Sequence, residues 1–419
     1  MTVVADRLFA EFDALCSLGG RLCGDESERA AVALLSRLGA EATGAPPRVE
    51  PVAYDGWRAR AASLTGADGT VHPAHPLVRS AATPGEGTEA EVIDLGRGTE
   101  EEFAAHRDEI PGRIVLVRHE PMFAPGTIHR RFKIARAIEA GAVGFLIAGP
   151  APGHVVAGSA RSPGDPAIPA LGVSPETAAA FARSAAGRPR ARMRIEIEER
   201  PATADNLFFD MPAGEDRIVL SAHIDGHPLG ESAIDNASGL AVALEAVRRV
   251  LPERAAWRRG LTLAFFNVEE WALTGSAAHL AAMSAEDRAR IALNVNLDSV
   301  AGGDRLTALT SGFRGIEPFL LEASERSGVP LGLHRPLQMN SDHGNFARAG
   351  VPAFRLVAGF GDPAAAARLV LTPLDRRDLV SAAELARAAR LTTEILRAAL
   401  AVPQPLRDAW RETKSAPTA

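Results

Sequence analysis

Residues 221–240 read SAHIDGHPLGESAIDNASGL, a polar loop punctuated by glycines between the apolar run DRIVL (216–220) and the helical pattern SGLAVALEAVRRVL (238–251). A strand, a polar loop and a helix in that order form the repeating unit of an open α/β sheet. In such sheets ligands sit beyond the carboxyl ends of the strands. Loops on a rigid scaffold can aim side chains, so His223, Asp225, Asp235 and Asn236 are the first residues to weigh as a site.

The same unit recurs downstream. GLTLAFFNVEE (260–270) ends in Glu269 and Glu270, IALNVNLDSV (291–300) carries Asp298 at its end, and NSDHGNF (340–346) places His343 just before VPAFRLV (351–357). Helical patterns lie at ALTGSAAHLAAM (272–283) and near residues 316–327, and the capping box SAAE (381–384) opens a last helix. The alternation predicts an α/β fold with a mixed, largely parallel sheet sandwiched by helices.

Upstream, DRLFAEFDALCSL (6–18) and DESERAAVALLSRLGA (25–40) have helical spacing. The region between about 61 and 188 is rich in Gly, Pro and Ala, with short β runs EAEVIDLG (89–96), GRIVLVRHE (112–120) and AVGFLIAG (142–149) around the helix RRFKIARAIEAGA (130–142). We therefore expect residues 1–60 as an N-terminal part of the main domain, 61–188 as a smaller β-rich insert, 189–402 as the site-bearing part, and 403–419 as a loosely held polar tail. MRIEIEE (193–199) and ADNLFFDMP (204–212) read as two separate strands.

Composition narrows the class. The chain has 419 residues, a net charge of -6 and no block of basic residues. That argues against nucleic acid or an anionic membrane as a partner and favours small or peptidic ligands. Residues 1–20 carry Asp6, Glu11 and Asp13 rather than a basic start and a long apolar run, so no signal peptide is expected and a cytoplasmic location is. The two cysteines, Cys16 and Cys23, read as buried free thiols, and His119, His129 and His154 as surface residues. Oligomeric state is not legible.

The acidic and imidazole residues at the strand ends demand an explanation, because buried carboxylates crowded together repel one another and resist burial. Divalent cations resolve the conflict. Imidazole and carboxylate without cysteine suit Zn²⁺, with Mn²⁺ or Co²⁺ as alternatives, and one bridging carboxylate would allow two ions. On this reading Asp235 bridges, His223 and Asp298 hold one ion, and Glu270 and His343 hold the other. Glu269 is left free as a general base, and Asp225 is expected to hydrogen-bond the second nitrogen of His223.

In order, type and spacing, HID, AIDNASG, NVEEWALTGS, NLDS and SDHGNF resemble the motifs of the co-catalytic di-zinc peptidases, which include bacterial leucyl aminopeptidases, glutamate carboxypeptidase II and the transferrin receptor. The resemblance implies metal ligands at His223, Asp235, Glu270, Asp298 and His343, a general base at Glu269, and a cis peptide between Asp235 and Asn236. Residues 61–188 are similar to a protease-associated domain inserted into such peptidases. The implied activity is that of a di-zinc exopeptidase, most simply an aminopeptidase acting on short peptides.

Two rival readings keep the fold. A metallo-carboxypeptidase or N-acyl-amino-acid amidohydrolase needs a cation for the substrate carboxylate, with Arg314, Arg335 and Arg355 as candidates; a non-catalytic binding protein should have lost ligands, and none is lost here. The only tyrosine, Tyr54, is far in sequence from the motifs, so His227 or Asn340 are the side chains offered as oxyanion donors beside a metal. TPLD (372–375) contains an Asp375 that reads equally well as a helix-terminal cap.

Overall fold

The computed structural model describes residues 2–182 and 189–412. The strands form one long twisted sheet with a catalytic half and an insert half. In the first half, Arg217–His223 lies in parallel between Gly260–Phe266 and Ile291–Leu297, and Ile291–Leu297 pairs in parallel with Ala353–Ala358. An antiparallel step from Ala353–Ala358 to Leu306–Leu309 makes this half mixed, as expected. The four parallel strands are almost wholly buried, which is why they read as continuous apolar runs.

Helix Ser238–Val250 fills the centre of one face, buried along nearly its whole length. It packs against Thr2–Cys16, Glu26–Thr43 and the long helix Ala382–Ala401. The predicted capping box opens that long helix: Ser381 Oγ accepts the Glu384 amide at 3.2 Å, and Glu384 Oε2 accepts the Ser381 amide at 2.9 Å. Gly39 has no side chain for a packing reason, because a Cβ there would lie 2.2 Å from the Phe209 ring.

The halves are joined by a ribbon that the sequence concealed. Arg48–Gly66 and Arg190–Met211 pair antiparallel from Arg48 opposite Phe208 to Gly66 opposite Ala191. MRIEIEE and ADNLFFDMP are thus one strand, and the division placed at residue 60 falls inside its partner; residue 188 lies outside the described residues. Beyond the ribbon, Thr88–Asp94, Ile114–Arg118, Gly144–Ala148 and Ala170–Val173 form the parallel sheet of the insert.

The tail differs from expectation. Gln404–Ala409 is a short helix, and Trp410 behind it is 1% exposed and packs on Phe319, so apolar burial holds the chain down to residue 412; residues 413–419 lie outside the described ones. Among the described residues no helix is long and apolar enough to cross a membrane.

Candidate metal centre

His223 is the last residue of its strand and is buried. Its Nδ1 lies 3.0 Å from the backbone oxygen of Asp225, which can only accept, so Nδ1 donates and Nε2 is left facing the cage. Nε2 is 2.9 Å from Asp235 Oδ1 and 3.7 Å from Asp298 Oδ1. The ligand atoms of these three residues lie within 4.8 Å of one another, the geometry of a cation site.

Each carboxylate is held from behind. Asp235 sits in the turn before helix Ser238–Val250, where its peptide bond to Asn236 is cis. The backbone amides of Ile234 and Asp235 donate to Asp375 at 2.7 and 3.3 Å, which gives Asp375 a role in fixing this turn rather than in capping a helix. Asn236 faces inward, donating to Leu297 O and accepting from Gly239, so it shapes the turn. Arg355 Nη2 donates to Asp298 Oδ1 at 2.9 Å, and its guanidinium lies over Phe123 of the insert.

The Asp225 carboxylate does something other than expected. Its Oδ1 is 3.9 Å from His223 Nδ1, and its two oxygens instead accept the backbone amides of Glu269 at 2.9 Å and Glu270 at 3.1 Å. It is the carbonyl of Asp225 that orients the imidazole. Cys23, one of two buried free thiols, adds its Sγ at 3.4 Å from Asp225 Oδ2.

Glu269 and Glu270 diverge from this anchor. Glu270 Oε2 is 2.7 Å from His227 Nε2, a close electrostatic contact not aligned as a hydrogen bond, while Oε1 is buried without a partner. The Glu269 carboxylate has no hydrogen bond or ion pair among the described residues and lines the cleft together with Asp235, Glu270 and Asp298. His343 opens helix His343–Arg348, fully buried, and among the described residues neither ring nitrogen has a partner.

Titration follows from this crowding. Burial, and then the charges of Asp298 and Glu270, push the Asp235 carboxyl up to about 6. Burial above all also lifts Glu269 well above the usual carboxylate range. Against its own burial, Asp298 is held below that range by Arg355 and His223. Burial would depress His223, but the charge of Glu269 and the contacts to Asp235 and Asp298 raise it well above an ordinary imidazole. Burial takes His343 down to about 3, keeping it neutral and able to ligate.

Together these observations fit a metal. Several buried carboxylates and two imidazoles share one end of the sheet, and the lone pairs of Glu270 Oε1 and His343 have no partner among the described residues. Oxygen and nitrogen donors without thiolate suit zinc.

Sequence reading missed several neighbours. Asp342 is buried before His343, and burial pushes it up to about 7. Tyr54 is close in space, its ring packed edge-on against Trp271 at 5.2 Å. His119 is buried and His129 lines the cleft, against the expectation of two surface residues. Of the arginines considered for a substrate carboxylate, Arg335 pairs with Glu317 and Arg355 with Asp298. Arg130 of the insert reaches the cleft instead: it is 5% exposed, its Nε donates to Ser159 O at 2.7 Å, and its Nη1 has no partner among the described residues.

Residues 206–396 match peptidase family M28, and residues 74–181 match the PA domain. Over 322 residues the chain is 25% identical to aminopeptidase YwaD of Bacillus subtilis, which covers 75% of this chain and 68% of that protein. Over 160 residues it is 29% identical to leupeptin-inactivating enzyme 1 of Streptomyces exfoliatus, covering 38% of this chain but only 36% of that protein. Among solved structures, the zinc aminopeptidase BSAP from Bacillus subtilis superposes with a TM-score of 0.74 at 21% identity over 94% of both chains. An Aneurinibacillus aminopeptidase superposes at 0.69 with 22% identity, over 94% of this chain and 93% of its own.

Proposed function

Because the chain belongs to peptidase family M28, the co-catalytic zinc exopeptidases, with an inserted PA domain, we propose that it is an aminopeptidase that removes N-terminal residues from short peptides. The observation that carries this reading is the pairing of a donor set with an unengaged carboxylate: Glu269 stands in the cleft beside Asp235, Glu270 and Asp298 with no hydrogen-bond or ion-pair partner among the described residues. His223 and Asp298 would hold one zinc, Glu270 and His343 a second, with Asp235 shared. Zinc bound there supplies a Lewis acid for the scissile carbonyl and lowers the pKa of water.

The remaining steps belong to the chain's own residues. Glu269, lifted above the usual carboxylate range by burial, holds a proton more readily than an ordinary carboxylate. It takes the proton from the attacking water and returns it to the leaving amine. The acidic wall gives a substrate ammonium its counter-charge, which selects a free amino terminus. The buried cleft excludes bulk water and strengthens these interactions.

One observation favours a second reading. Arg130 offers a buried guanidinium whose Nη1 is unpaired in the same cleft, and the charge that most supports it is that of Glu270, itself a proposed zinc ligand. A substrate carboxylate would satisfy it, as in a carboxypeptidase or an N-acyl-amino-acid amidohydrolase. A panel of free-amine and N-acetylated dipeptides, with and without chelator, separates the two. Chelator-sensitive cleavage of the free-amine set alone supports the aminopeptidase; cleavage of the acetylated set favours the second reading.

A further inference from the structure

The structure assigns Arg21 the role of a positioning residue that sets the spacing of the two loop limbs carrying His223 and Asp235. This rests on the reading of the cage as a metal site. The side chain is wholly buried and its guanidinium is spent on backbone carbonyls. Nε donates to Ile224 O at 2.8 Å, Nη1 to Glu231 O at 3.0 Å and Nη2 to Ser232 O at 2.9 Å. Ile224 directly follows His223 on one limb, while Glu231 and Ser232 run up to Asp235 on the other. One planar group spans both.

The limbs leave the sheet and are not paired to each other as strands, so their inward carbonyls need donors from elsewhere. A guanidinium presents several N–H groups in a fixed fork and cannot shed its charge, whereas an ammonium is a compact point donor that cannot hold three diverging carbonyls in register. Arg21 is also fixed in return, since its own carbonyl accepts the Gly226 amide at 3.1 Å.

The local backbone is built for this contact. Gly20 approaches so closely that a Cβ would lie 1.8 Å from His227 O. Arg21 itself has φ 33°, and Ser232, whose carbonyl it holds, has φ 46°. Both are left-handed conformations that side-chain-bearing residues rarely adopt, and such strain persists where the surroundings over-determine it. Among the described residues no carboxylate lies in ion-pair range of Arg21, so a salt bridge does not account for burying the charge there.

A residue that spaces ligands should change how metal is held, and a residue that only stabilises the fold should not. Arg259 supplies the control: it is also buried and donates to Val402 O, with Asp216 as its nearest carboxylate. The full chain is stripped with chelator, then titrated with Zn²⁺ by calorimetry and with Co²⁺ by visible absorption. Arg21→Lys is expected to weaken binding of at least one ion by roughly tenfold or more, the range for orienting partners, and to alter the Co²⁺ bands. Arg21→Gly is expected to regain part of both on addition of millimolar guanidinium, and Arg259→Lys to match the wild type. Wild-type affinity and spectrum in a folded Arg21→Lys overturn the inference. If Arg21→Lys does not fold, Gly20→Ala, which displaces the fork rather than removing it, is read the same way: an unchanged metal profile overturns. A wild-type chain that takes up no zinc overturns the cage reading and this inference together, whereas normal uptake with unaffected Arg21 variants sinks this inference alone.

Discussion

The carboxylate of Asp225 accepts the backbone amide of Glu269 at 2.9 Å, so the loop that follows one strand aims the free carboxylate carried at the end of the next. The second oxygen takes the Glu270 amide, fixing both glutamates from one anchor. Asp225→Asn keeps the shape but converts one acceptor into a donor facing an amide. We expect a loss of about 10–100-fold in kcat with little change in KM, measured by steady-state kinetics on a free-amine dipeptide.

Glu269→Gln removes the proton acceptor while leaving every proposed ligand. Hydrolysis should fall by about 10²–10⁴-fold, the usual contribution of a positioned general base, with zinc content unchanged by elemental analysis. Loss of zinc in parallel with activity would instead make Glu269 a ligand.

Packing makes a prediction independent of the chemistry. Gly39→Ala drives a Cβ to within 2.2 Å of the Phe209 ring, both in the core. Overpacking of this kind costs about 1–3 kcal/mol, and the urea midpoint should drop accordingly while kcat/KM for surviving native enzyme is retained.

His119 supplies a pH dependence away from the metal cage. Burial first, then the charges of Arg130 and Lys133, take its pKa down to about 3, so it stays neutral in the folded chain while the unfolded chain protonates it near the ordinary value. Its folded pKa is depressed, so stability is intact above the unfolded pKa of about 6.5 and is lost as pH falls toward 3. By pH 5 the loss attributable to this residue is about 2 kcal/mol. The urea midpoint of wild type should fall relative to that of His119→Gln between pH 7 and 5; parallel curves would contradict the assignment.

What the sequence disclosed and what it hid have physical causes. His223, Glu269, Glu270 and Asp298 were legible as site candidates because each closes or follows an apolar strand run, and Asp235 because it stands in the polar loop just before an apolar helix pattern. The ribbon Arg48–Gly66 with Arg190–Met211 was only partly legible: Pro51 and Gly56 punctuate the first strand, and Pro201 divides the second into the two shorter strands that its alternation suggests. Arg21 and Arg130 were invisible because a buried guanidinium looks like a surface one in a sequence; only the glycines beside it, Gly20 and Gly158, hint at a close approach, the latter leaving room for the Arg130 guanidinium 2.2 Å from where a Cβ would stand. Trp410 was hidden in a polar tail, where its burial acts together with hydrogen bonds from Arg407 and Arg411 to the Ala289 carbonyl.

We propose that His223, Asp235, Glu270, Asp298 and His343 hold a zinc pair in a peptidase acting at a free amino terminus. The most direct test titrates zinc into metal-stripped protein while following hydrolysis of a free-amine dipeptide and its N-acetyl counterpart. The expected result is no activity without zinc, a rise that levels off at two zinc per chain, and cleavage of the free-amine peptide alone. Hydrolysis that ignores zinc, or that falls on the acetylated peptide instead, would contradict it.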